Sequence, residues 1–95
     1  MDDEAPPGVQ LIADRCEHLV GIALRDMQKL LDDRKTSHEE KCKKAAMLVG
    51  YAMAIRDIGE ETGNAPIAAI LNKRLHQIME GERRICDQPV PWLMR

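Results

Sequence analysis

The sequence predicts an all-α protein: a small bundle of about three helices, two long and one shorter, followed by an extended C-terminal tail that contains prolines. Apolar residues recur at steps of three and four positions in three separate segments, which is the period of a helix that buries one face. A capping sequence, SHEE, begins at Ser37, and Gly63 and Pro66 separate the second segment from the third. The 95 residues are enough for one domain.

The first helix is expected to span residues 9–34. Its apolar stripe follows the helical period and comprises Ile12, Cys16, Leu19, Ala23, Met27 and Leu30. Val20 and Leu31 widen this stripe. Leu11, Ile22 and Leu24 lie away from it, so we expect the helix to be covered on more than one side.

The second helix is expected to begin at Thr36 or Ser37 and to run to about residue 62. Both residues have a glutamate three positions later, which is the spacing of a capping box, so either Thr36 or Ser37 can be the N-cap. Gly63 is the expected left-handed residue at the end of this helix.

Apolar side chains of the second helix fall into two stripes, where a helix in a simple hairpin needs only one. The first stripe comprises Cys42, Ala45, Ala46, Val49, Ala52 and Met53, and the second comprises Leu48, Tyr51, Ile55 and Ile58. A second covering surface is therefore expected, from either the third helix or another chain. Ala46, Gly50 and Ala54 are small residues four apart, which allows a neighbouring helix to approach closely.

The third helix is expected to begin near Ala65, with Pro66 in the first turn, and to end at Gly81. Its predicted buried face comprises Ile67, Ile70, Leu71, Leu75, Ile78 and Met79. The chain then divides into an acidic, flexible arm at 1–8, a helical domain at 9–81 and an apolar tail with two prolines at 82–95.

Composition argues against several classes of function. Fourteen Lys and Arg nearly balance 16 Asp and Glu, so direct binding to nucleic acid is not expected. The three widely spaced cysteines favour free thiols in a reducing cytoplasm. The acidic N-terminus lacks an apolar stretch, and the longest apolar run is too short to span a membrane.

No pattern in the sequence predicts an enzyme, a metal site or a cofactor. His38 and Cys42 are four apart and can share a helix face, but structural zinc needs four ligands. Nothing near a cysteine supplies an activating group or an oxyanion hole, and no glycine-rich phosphate loop occurs. We therefore expect neither catalysis nor a cofactor.

Surplus apolar surface is the main functional signal, because the helices carry more of it than a single hairpin can bury. Trp and Tyr are enriched at binding hot spots, and Tyr51 and Trp92 are the only two aromatic residues. For Tyr51 and Met47 packing in the core is the alternative, and for Trp92 docking on its own chain. The predicted protein-binding residues are Met47, Leu48, Tyr51, Ile55, Ile58, Ile85, Val90, Trp92 and Leu93.

Three segments carry a family resemblance: DDEAPPGVQLIADRC, KKAAMLVGYAMAIRDIGEETGNAPI and QPVPWLMR. Through them the chain resembles, over essentially its whole length, the small quorum-sensing antiactivators of the QslA type. The resemblance implies a cytoplasmic bacterial protein without enzymatic activity. Such proteins bind a LuxR-type transcription factor and block dimerisation of its ligand-binding domain, which prevents DNA binding. It also implies that the antiactivator is a helical homodimer.

Two other functions fit the residues. A helical homodimeric assembly or chaperone-like module would use the same surplus apolar surface. A small DNA-binding regulator is the third alternative, although the first two helices look too long and too apolar for a helix-turn-helix unit.

Overall fold

A computed structural model describes residues 7–87, and these residues form a bundle of three helices. The helices are α1 (Pro7–Asp32), α2 (His38–Glu61) and α3 (Ala65–Cys86), and residues 7–87 contain no strand. Each helix packs against the other two. Short connections make α2 antiparallel to both neighbours, so α1 and α3 run in the same direction. The predicted all-α fold with three helices is confirmed.

The connection between α1 and α2 is built around Asp33. Its carboxylate accepts hydrogen bonds from the backbone N–H groups of Lys35, at 2.8 Å, and Thr36, at 3.1 Å, and also from the Thr36 hydroxyl. These bonds lower the pKa of Asp33 to about 2. Lys41 is buried in α2, and its Nζ donates to the Asp33 carbonyl oxygen at 2.8 Å. The loop is thereby joined to both helices.

Of the two predicted caps, the structure shows Ser37. Its Oγ accepts a hydrogen bond from the backbone N–H of Glu40 at 3.2 Å, whereas the Thr36 hydroxyl bonds to Asp33. At the other end of α2, Gly63 has a φ of 75°, which confirms the predicted left-handed residue. Asn64 then caps α3 by accepting from the N–H of Ile67 at 3.1 Å.

One aliphatic core lies between the three helices. Its largest fully buried side chains are Met27, Leu71, Ile78, Ile85 and Val20. Several residues assigned to buried stripes lie at the surface instead, namely Ile12, Ala46, Met53 and Met79. In α2 the buried face lies between the two predicted stripes and comprises Lys41, Ala45, Ala52, Ile55 and Gly59. The rotation of α2 about its axis is set by its two neighbours, because the side of α2 that faces both α1 and α3 is the side that becomes buried.

Two glycines mark points where helices approach closely. A Cβ at Gly59 would collide with Leu71, and a Cβ at Gly81 would lie 2.5 Å from Met27 Cγ. The predicted helix end at Gly81 is therefore wrong: α3 continues to Cys86, and the glycine provides space for α1. Most of the predicted arm, residues 1–6, lies outside the described residues. Most of the predicted tail, residues 88–95, also lies outside them.

Candidate protein-interaction surface

The side of α2 that faces away from the core is apolar over about three turns. Residues 45–55 include no charged side chain. The exposed members of this segment are Ala46, Met47, Gly50, Tyr51, Met53 and Ala54. A surface helix ordinarily places polar residues opposite its buried face, so this second apolar face needs a separate explanation.

An open groove of about 570 Å³ runs between α1 and α2, beside this face. Its apolar lining comprises Ile22, Ala23, Leu30, Met47, Leu48 and Tyr51, and its charged lining comprises Asp26, Lys29, Asp33 and Lys44. An apolar lining that also carries charges of both signs is the composition expected of a surface that binds an apolar region of another protein. We call this feature the α1/α2 groove.

The predicted site residues divide into three groups. Met47 and Ile58 are 72% and 49% exposed, Tyr51 is exposed, and Leu48 is half-buried in the wall of the groove. Ile55 and Ile85 are buried, at 6% and 0% exposure, so the assignment of these two to a binding surface is wrong. Both positions face the neighbouring helices and complete the core. Val90, Trp92 and Leu93 lie outside the described residues.

Helix α1 contributes surface residues that the predicted site lacked. Ile22 lines the groove, and Leu11 and Ile12 are exposed apolar residues nearer the start of the helix. The positions of Leu11 and Ile22, away from the buried stripe, were the sequence signal for this surface. The signal did not show that Ile22 would line one groove with Tyr51 of α2, because that depends on how the two helices align.

A small cluster of sulfur and nitrogen atoms lies at the opposite edge of α2. Cys42 Sγ is 3.4 Å from His38 Nε2, so these residues share a face as predicted. Partial desolvation and then the neighbouring Cys42 thiol raise the pKa of the Cys86 thiol, although this side chain is exposed, and burial raises the pKa of Cys16. Across residues 7–87 no three or more His, Cys, Asp or Glu side chains are arranged to hold a metal ion.

Comparisons with known proteins give no further identification. The chain matches no family model, no curated protein and no solved structure. Within residues 7–87 no helix has the length and apolar character needed to span a bilayer.

Proposed function

We propose that this chain is a non-enzymatic antiactivator that binds a LuxR-type transcription factor in the cytoplasm. It would cover the surface through which the regulator's ligand-binding domain dimerises, and so prevent DNA binding. The antiactivator itself would act as a homodimer. The observation that supports this proposal is the open, largely apolar α1/α2 groove. The choice of regulator class rests on the resemblance to QslA-type antiactivators.

A dimeric regulator exposes an apolar patch whenever its subunits separate. A second protein that offers its own apolar surface competes for that patch by mass action. In the α1/α2 groove, Tyr51 and Ile22 would contribute much of the apolar contact area, and Asp26 and Lys44 would orient the partner. No bond needs to be made or broken in this competition.

Purified ligand-binding domain of a LuxR-type regulator tests the proposal. Light scattering after size-exclusion chromatography should show the regulator's dimer replaced by a mixed complex as this protein is added. A regulator domain that stays dimeric in excess of this protein would contradict the proposal.

Single substitutions place the contact on the groove. Tyr51→Ala and Ile22→Asp, which both change lining residues of the groove, should each weaken the mixed complex by roughly tenfold or more. Met79→Asp is the matched control, because Met79 is an exposed apolar residue on α3, which contributes no lining residue to the groove. Equal weakening by all three variants would contradict this site.

A further inference from the structure

We infer that the outward side of α2 recognises a second copy of this chain, with the two α2 helices packed antiparallel and crossing at Gly50. This inference rests on the part of the proposed function that makes the chain a homodimer, and does not depend on the identity of the regulator. We call the surface the α2 outward face, and its residues are Lys43, Ala46, Met47, Gly50, Met53, Ala54 and Asp57.

The α2 outward face is symmetric about Gly50 in sequence. Counting outward from the glycine, Met47 matches Met53 at three positions and Ala46 matches Ala54 at four. At seven positions, Lys43 on one side is matched by the opposite charge of Asp57 on the other. Steps of three, four and seven keep all these residues on one side of a helix, and all of them are exposed.

This symmetry is what a two-fold antiparallel contact requires. In such an interface each residue meets the residue equally far from the axis in the second copy. Around Gly50, Ala46 would therefore face Ala54 of the second copy, and Met47 would face Met53 of the second copy. Lys43 would face Asp57 of the second copy, and the axis produces this pair twice. The face thus complements itself in both size and charge.

Gly50 provides a separate argument, because a single copy of the fold has no evident need for it. Glycine inside a helix costs about 1 kcal/mol relative to alanine. Gly59 and Gly81 are required by the close approach of Leu71 and Met27, but a Cβ at Gly50 would meet no atom within 4 Å. Gly50 also lacks the positive φ that would favour glycine. Close approach of a second helix, with Ala46 and Ala54 on either side, accounts for this residue.

The charges on and beside this face permit the contact. Lys43 Nζ lies 3.6 Å from Glu39 and Asp57 lies 3.1 Å from Arg56, and since each pair includes well-exposed groups its energy is small. The same symmetry sets Glu39 against Glu61 of the second copy and Glu40 against Glu60 of the second copy, and both pairs are repulsive. They lie eleven and ten positions from Gly50, roughly 15–16 Å along the helix, where crossed helices have moved apart.

Charge reversal in the full-length chain tests the register directly. Sedimentation equilibrium should show a dimer whose Kd rises about tenfold or more in Lys43→Asp and in Asp57→Lys, because each change replaces two attractive pairs with two repulsive ones. The double variant, Lys43→Asp with Asp57→Lys, should restore the Kd to within about threefold. It places a negative charge nearer the start of α2 and a positive one nearer its end, which the helix dipole favours.

Gly50→Leu gives a second readout that does not depend on charge. It should abolish the dimer and leave the helix content measured by circular dichroism unchanged, because the space around position 50 is open in one copy. Lys73→Asp, an exposed charge reversal on α3, should leave the Kd unchanged. A chain that is monomeric at all concentrations, or a double variant no better than the single ones, would overturn the inference.

Regulator binding by the same variants separates this inference from the proposed function. A dimer that responds to Lys43→Asp supports the α2 outward face even when the regulator domain does not bind. If the chain binds the regulator domain but never dimerises, the result supports the contact at the α1/α2 groove and rejects the dimer contact on the α2 outward face.

Discussion

Gly81 of α3 lies directly against the Met27 side chain of α1. A Cβ at position 81 would lie 2.5 Å from Met27 Cγ and 3.0 Å from its Sδ. Met27 is almost fully buried, so its side chain has little room to move away. In the sequence Gly81 resembles the end of a helix, but in the structure it lies inside α3 and allows close packing against α1.

Replacing Gly81 with alanine should destabilise the fold although alanine favours helix. Overpacking against Met27 is expected to lower the free energy of unfolding by about 1–3 kcal/mol. Gly21→Ala in α1 is the matched control, because a Cβ there makes only an ordinary contact with Arg74 at 3.6 Å. It should raise the free energy of unfolding by about 0.5–1 kcal/mol. Urea denaturation of both variants measures the difference, and equal stabilisation by both would contradict the packing.

Ile55 and Ile58, three positions apart on α2, should respond oppositely to an acidic substitution. Ile55→Asp places a carboxylate in the core and should lower the free energy of unfolding by roughly 3–5 kcal/mol, enough to unfold a small domain. Ile58→Asp should retain the fold and its cooperative thermal transition, because this side chain is about half exposed. Circular dichroism during heating distinguishes the two, and a folded Ile55→Asp variant would show that this position is not core.

Helix number, both interhelical connections and much of the aliphatic core were predictable from sequence, because capping residues and apolar periodicity act locally. The side of α2 that faces the core was not predictable from sequence. Its apolar residues occupy most of the circumference, so periodicity alone cannot tell which ones face α1 and α3. Tyr51 and Ile58 consequently remained at the surface, while Ile55, in the same predicted stripe, became core. Gly81 was wrongly predicted as a helix end for a related reason, since a close approach between helices depends on a residue distant in sequence.

Asp33 should make folding sensitive to acid. Its folded pKa of about 2 lies below the ordinary 3.8, mainly because Thr36 and the N–H of Lys35 bond to the charged form. The stabilisation is therefore complete above the unfolded pKa and is lost as the pH falls from about 4 towards about 2. The Tm of Asp33→Asn should lie below that of the native chain at neutral pH, and the gap should narrow across this range. Asp32→Asn, which changes an exposed carboxylate at the end of α1, is a suitable control. A constant gap in Tm between Asp33→Asn and the native chain would contradict the assignment.

The Cys86 thiol should react slowly with an alkylating reagent at neutral pH. Partial desolvation and the neighbouring Cys42 thiol raise the pKa of this exposed side chain, with smaller contributions from Glu82 and Asp87. Less thiolate is then present at a given pH, so the midpoint of its alkylation profile should lie above that of an unstructured cysteine peptide.

Cys42→Ala should move the Cys86 midpoint downward, because it removes the hydrogen bond and opens the surroundings of this thiol. Mass spectrometry of the peptide containing Cys86, after timed treatment with iodoacetamide at a series of pH values, measures the shift. Cys16→Ala should leave the Cys86 profile unchanged, because Cys16 is buried in the core beside Gly59. A Cys86 midpoint that is the same in the native chain and in Cys42→Ala would show that the two thiols do not interact, and that the end of α3 is not held against the start of α2.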